Sequence, residues 1–158
     1  MRGPHKGSSP DLRLESQERM ERRKILVVED DEESRRILVL RLQWLGKFTI
    51  REAATGQEAL DWIARDRPDV VLLDLKLPVV DGLEVARRVR TMPAPLSQLP
   101  IIAVTAHVMA WNKATALAAG CDEYITKPIV NPGEIGDKVE QLLSHGRPTR
   151  PLGTARCS

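Results

Sequence analysis

Aromatic residues are scarce: three tryptophans, one tyrosine and one phenylalanine in 158 residues. Neither basic end of the chain interleaves rings with its charges, so the stacking platform of a single-strand nucleic-acid binder is missing. Cysteine is almost absent. Cys121 lies in a motif-rich stretch and Cys157 near the end, which argues against a structural disulfide and fits a reducing cytoplasm. No run of about 18 apolar residues occurs, so no membrane insertion is expected. The opening Met1-Arg2-Gly3-Pro4-His5-Lys6 lacks the apolar core of a secretory signal.

What remains is enough for one domain with a real core. The net charge of +2 hides a split. Residues 1–24 carry seven Lys/Arg and four Asp/Glu, and residues 145–158 carry three Arg and no acid. The stretch between has fourteen basic and eighteen acidic residues, a net of −4. The basic excess therefore belongs to the ends, which are expected to be solvated arms rather than a nucleic-acid site. Residues 1–10 are rich in Gly, Pro and Ser, a composition that does not build a core. Residues 11–23 are polar, with Leu12, Leu14 and Met20 too sparse to sustain an independent helix. The expected organisation is a disordered or partly helical extension over 1–23, a domain over 24–144 and a disordered basic tail over 145–158.

From Lys24 the pattern alternates short apolar runs with helical periodicity. Strands are expected over Ile25–Val28, Phe48–Ala53, Asp69–Asp74, Ile101–Thr105 and Glu123–Thr126. Helices are expected over Glu33–Leu45, Gln57–Arg65, Leu83–Arg90, Val108–Ala119 and Pro132–Ser144. Ile37, Leu38, Leu40, Leu42 and Leu45 form the apolar face of the first helix, and Gly46 suits its C′ position. Five βα units with short connections predict a single doubly wound α/β domain, a five-stranded parallel sheet of flavodoxin-like order 2-1-3-4-5 with five helices.

In that order the switch point lies between strands 1 and 3. Strand 1 runs into Glu29-Asp30-Asp31 and strand 3 into Asp74. Like charges brought together at two strand ends call for a cation, which points to a metal-assisted phosphoryl-accepting site. Thr105 ends strand 4 and Lys127 follows strand 5. These residues stand in Val-Val-Glu-Asp-Asp, Leu-Leu-Asp-Leu-Lys-Leu-Pro with Asp81-Gly82, Val-Thr-Ala, Ala-Gly-Cys-Asp and Tyr-Ile-Thr-Lys-Pro. With all five motifs in order, residues 24–144 resemble a bacterial two-component response-regulator receiver domain, of the stand-alone chemotaxis or sporulation-relay type.

The resemblance implies that Asp74 accepts a phosphoryl group as an acyl phosphate. It implies Mg²⁺ as cofactor, with Asp30 as direct ligand, Glu29 through water, Asp74 itself and the backbone carbonyl of Lys76. Lys127 would pair with the phosphoryl oxygens, with a cis Lys127–Pro128 bond. Thr105 and Tyr124 would form the switch pair, and small Ala106 would leave the site open. Lys76 and His107 either border its entrance or stay exposed and inert, and Trp111 is expected to pack. The implied partners are a histidine kinase or histidine phosphotransfer protein and an unknown downstream protein. The implied output is a changed surface on helix 4, strand 5 and helix 5, in a signalling protein rather than an enzyme. Ser144 is expected to leave no room for a DNA-binding output domain. A receiver fragment of a hybrid histidine kinase is an alternative. A haloacid-dehalogenase-like phosphatase also uses a strand-end aspartate, but it needs an acid where this chain has Lys76.

Overall fold

The computed structural model describes residues 22–106, 113–131 and 133–148. Five strands, β1 (Arg23–Val28), β2 (Phe48–Ala53), β3 (Val70–Leu73), β4 (Ile101–Thr105) and β5 (Glu123–Thr126), form one sheet. All pairs are parallel and the order is β2-β1-β3-β4-β5. β3 and β4 are buried along their whole length, as strands covered on both faces must be. Alternation then sorts them. Leu26, Val28, Val71 and Leu73 enter one core cluster, and Ile25, Val27, Val70 and Leu72 the other.

Five helices cover the two faces: α1 (Glu32–Trp44), α2 (Gly56–Arg65), α3 (Gly82–Thr91), α4 (Lys113–Ala119) and α5 (Gly133–His145). α2, α3 and α4 supply the first cluster, α1 and α5 the second. Three helix starts are capped by side chains. Asp31 accepts from the Ser34 N–H at 2.8 Å, Thr55 from Glu58 at 3.0 Å and Asp81 from Glu84 at 2.9 Å, each satisfying a donor that the first turn leaves orphaned. Gly46 follows α1 with φ +65°, the left-handed conformation expected of it.

The expected topology is observed, with element ends shifted by one or two residues. Residues 107–112, and with them His107, Trp111 and the expected start of helix 4, lie outside the described residues, as do 1–21. The apolar face of α1 needs correction. Leu38 and Leu42 are buried and Leu45 is half-buried, but Ile37 and Leu40 are exposed. A helix on a sheet buries one stripe, and these two lie outside it.

The expected tail also starts later than Ser144. His145 completes α5, and Gly146 at φ +72° turns the chain. The Arg147 Nε then donates to Asp122 Oδ1 at 2.8 Å. The Asp122 side chain is 1% exposed; its Oδ2 accepts from Arg90 Nη2 at 3.0 Å and the Ile101 N–H at 2.9 Å. Arg90 also donates to the carbonyls of Gly120, Ser97 and Leu99. One buried carboxylate between two guanidiniums thus ties α3, the start of β4, the turn into β5 and the chain beyond α5. A chain ending at Ser144 loses Arg147, whereas one ending at Pro148 keeps it. The shorter chain is expected to be less stable by about 1–3 kcal/mol, the cost of stripping a buried carboxylate oxygen of its donor. Arg147→Ala is expected to fall equally far. Urea midpoints check this, and coincident midpoints for all three would refute it.

Candidate functional site

The strand ends place the acids by backbone bonding alone. The Asp74 N–H donates to the Val28 carbonyl at 2.9 Å and the Glu29 N–H to the Ala53 carbonyl at 3.0 Å. One residue past the pairing of Val28 with Leu73, Glu29 and Asp74 therefore emerge side by side. Carboxylate oxygens of Glu29, Asp30 and Asp74 all lie within 4.8 Å of one another. Glu29 and Asp74 are buried and Asp30 is exposed.

Lys127 completes the cluster. Its N–H donates to the Thr105 carbonyl at 3.0 Å, which holds the end of β5 against the end of β4. Its ammonium donates to Glu29 Oε2 and lies 3.6 Å from Asp74 Oδ2. The Lys127–Pro128 bond is cis. The Lys76 N–H donates to Asp74 Oδ1 at 3.1 Å, and the Asp31 N–H to Glu29 Oε1 at 3.1 Å. Thr105 is fully buried. It pairs with Thr126, and Ala103 pairs with Tyr124, so Thr105 and Tyr124 share one face of neighbouring strands as diagonal neighbours. Burial holds the Tyr124 hydroxyl above its ordinary titration range.

Electrostatics follow from this packing. Burial pushes the Glu29 carboxyl up to about 7, from an ordinary 4.5. The Lys127 hydrogen bond pulls the other way, and the neighbouring Asp74 pushes in the same direction as burial. Three carboxylates face a single ammonium, so the cluster is short of positive charge.

Other residues build the cradle without carrying charge to it. A Cβ at Gly82 would lie 2.3 Å from the Asp74 carbonyl oxygen and 2.6 Å from Leu75 Cα, so only glycine lets α3 start against the backbone of Asp74. Gly56 is equally tight, with its Cβ position 2.4 Å from the Val80 carbonyl oxygen. Between these contacts the Val80 N–H reaches the Pro78 carbonyl at 2.8 Å, and Val79 has φ +67°. A β-branched residue is strained there. Arg35 also escaped the sequence reading. It donates to the Glu29 carbonyl at 2.9 Å and pairs with Glu52, bracing the β1–α1 turn. Its position one residue past an N-cap contact is no signal by itself.

Comparison with known proteins agrees with this geometry. The profile of the response regulator receiver domain matches residues 25–140. The chain belongs to the response-regulator receiver family. It is 43% identical over 124 residues to the response regulator MprA of Mycolicibacterium vanbaalenii, covering 78% of this chain and 48% of that protein. It is 38% identical over 124 residues to the probable transcriptional regulator ycf27 of Porphyridium aerugineum, covering 78% and 49%. The chain thus spans about half the length of these curated relatives. Among solved structures it resembles the CheY-like receiver domain protein of Methanospirillum hungatei, at TM-score 0.70, 30% identity and coverage of 79% and 96%. It also resembles the receiver domain of sensor histidine kinase PA1611 of Pseudomonas aeruginosa, solved with magnesium coordinated in the active site cleft. There the TM-score is 0.71, the identity 29% and the coverage 78% and 98%.

In this receiver the donor set suits Mg²⁺. The three carboxylates offer hard oxygen ligands, and the charge imbalance around Lys127 favours a cation. Membership of the receiver family leaves the phosphatase alternative without support, consistent with Lys76 standing where that chemistry needs an acid. Among the described residues no helix is long and apolar enough to cross a membrane.

The raised Glu29 carboxyl makes the metal-free domain pH-sensitive. Its pKa is higher in the folded state, so its contribution to stability is full below about 4.5 and lost as pH rises through about 7. With chelator present, the wild type is expected to lose on the order of 2 kcal/mol of stability across that window relative to Glu29→Gln, which cannot ionise. Urea melts of both proteins at several pH values check this. Parallel pH profiles would show that Glu29 is not the responsible group.

Proposed function

We propose that this receiver takes a phosphoryl group onto Asp74 from a phosphohistidine donor, a histidine kinase or a histidine phosphotransfer protein. The convergence of Glu29, Asp30, Asp74 and Lys127 at three strand ends carries the reading. A carboxylate oxygen of Asp74 attacks phosphorus; the P–O bond forms as the P–N bond to the donor imidazole breaks, leaving an acyl phosphate and a neutral donor ring once a proton is taken up. Glu29, Asp30, Asp74 and the Lys76 backbone carbonyl would hold Mg²⁺. When bound, the ion offsets charge on the phosphoryl oxygens. The Lys127 ammonium exchanges Glu29 for a phosphoryl oxygen. The Lys76 N–H keeps Asp74 oriented from the side opposite the attack.

The switch role belongs to Thr105 and Tyr124. The Thr105 hydroxyl turns toward the new phosphoryl group, and Tyr124 moves into the space on the shared face. The downstream partner then reads α4, β5 and α5. The donor protein has an apolar surface next to the site: Ile37, Leu40 and Trp44 are exposed along α1, and Val130 is exposed past Lys127. A receiver belonging to a hybrid kinase would use the same residues. The work is that of a cytoplasmic signalling domain that assists only its own phosphorylation and dephosphorylation.

Incubation with Mg²⁺ and acetyl phosphate is expected to add one phosphoryl group by intact mass. Asp74→Asn is expected to take none, and Asp30→Asn to need far more Mg²⁺ for the same labelling while remaining folded. Strong labelling of Asp74→Asn would show that the acceptor lies elsewhere.

A further inference from the structure

Val28 is the last residue of β1 paired with both neighbouring strands. One residue on, the Glu29 N–H still reaches the Ala53 carbonyl. The Glu29 carbonyl is met by a side chain instead: Arg35 Nη1 donates to it at 2.9 Å. That carbonyl belongs to the peptide joining Glu29 to Asp30, the two adjacent acids of the cluster. A peptide is planar. Holding its carbonyl in one direction therefore constrains ψ of Glu29 and φ of Asp30 together. With them it constrains the directions in which both carboxylates leave the chain.

Arg35 is itself held at two points. Its backbone N–H donates to the Asp31 carbonyl at 2.9 Å, and its Nε donates to Glu52 Oε1 at 3.2 Å. Glu52 stands beside Ala53 at the end of β2. One planar guanidinium thus spans the β1–α1 turn and the neighbouring strand, using a different nitrogen for each. The Arg35 and Glu52 side chains are 19% and 51% exposed, and an ion pair this open adds little to stability. The charge of Arg35 is also the wrong one for its place. A positive group beside a cluster suited to a cation opposes that cation. Neither stability nor charge accounts for the residue; orientation does.

We propose that Arg35 is a positioning residue for the metal site. It orients the Glu29–Asp30 peptide so that both carboxylates meet Asp74, and Glu52 orients Arg35. Groups that hold a metal's ligands without touching the metal govern its affinity in this way. The proposal rests on the reading of the cluster as a Mg²⁺ site.

Calorimetric titration of the full chain with Mg²⁺ separates orientation from charge. Arg35→Ala is expected to weaken Mg²⁺ binding by about tenfold, although the loss of a positive charge alone would tighten it. Arg35→Lys keeps the charge but offers one nitrogen in place of two, and is expected to stay weakened. Glu52→Ala is expected to weaken binding as well. Glu52→Gln leaves an acceptor for Nε and is expected to recover most of that loss. Affinity in Arg35→Ala equal to or above that of the wild type overturns the proposal. So does a Glu52→Gln protein no better than Glu52→Ala, which would assign the effect to charge. Amide NMR spectra of the metal-free proteins test the positioning apart from the metal. The Asp30 and Asp31 signals are expected to move in Arg35→Ala while that of Asp122, at the other edge of the sheet, stays in place. Unmoved Asp30 and Asp31 signals sink the positioning, whereas a wild type that binds no Mg²⁺ sinks only the metal reading.

Discussion

The contact of Lys127 with the buried acids is the constraint on which this domain turns. Parallel pairing forces Glu29 and Asp74 out of adjacent strand ends into a crevice shielded from water, where like charges repel strongly. A single ammonium from a third strand end holds them together. The arrangement is compensated in part only, and the shortfall of positive charge is what makes it suited to a metal ion, the basis of the phosphoryl-accepting role proposed for it. A fully neutralised cluster would be more stable and would have nothing to accept. The polarised burial of Glu29, far from its ordinary titration range, is the cost of that receptiveness.

Backbone geometry protects the arrangement. Gly82 lets α3 begin against the Asp74 carbonyl, and Gly56 lets α2 begin against Val80. The loop between Asp74 and α3 is held from two sides, tightly enough to keep Val79 in a left-handed conformation that a valine otherwise avoids. Strain persists only where the surroundings over-determine it, and here they do so a few residues from Asp74.

The amino edge of the sheet is built on the opposite principle. Asp122 is as buried as Glu29, but two guanidiniums and a backbone N–H satisfy it. A carboxylate so fully bonded is a structural tie. It anchors the turn into β5 and the exit of α5, while the carboxyl edge keeps its charges available. The two edges of the sheet thus show two different states of completion of the same chemistry, an unbalanced acid cluster at one and a satisfied carboxylate at the other.

Much of this was legible in the chain alone. Alternating apolar runs and helical periods determine the five βα units, because each parallel strand needs a crossover and each crossover one buried stripe. Acids placed just after two such runs determine that they meet at the switch point, since register carries them there whatever their side chains do. Tertiary structure decided what periodicity cannot encode. Ile37 and Leu40 look like core in a count of apolar residues, yet only the stripe of Leu38, Leu42 and Leu45 is turned inward and leaves them outside. Arg147 looks like the start of a loose tail, yet the turn at Gly146 returns it to Asp122. Lys127 is aimed at Glu29 as much as at Asp74, because the Thr105 carbonyl sets the height at which the lysine leaves its strand. In each case the deciding quantity is a distance between segments far apart in sequence, and only packing sets that.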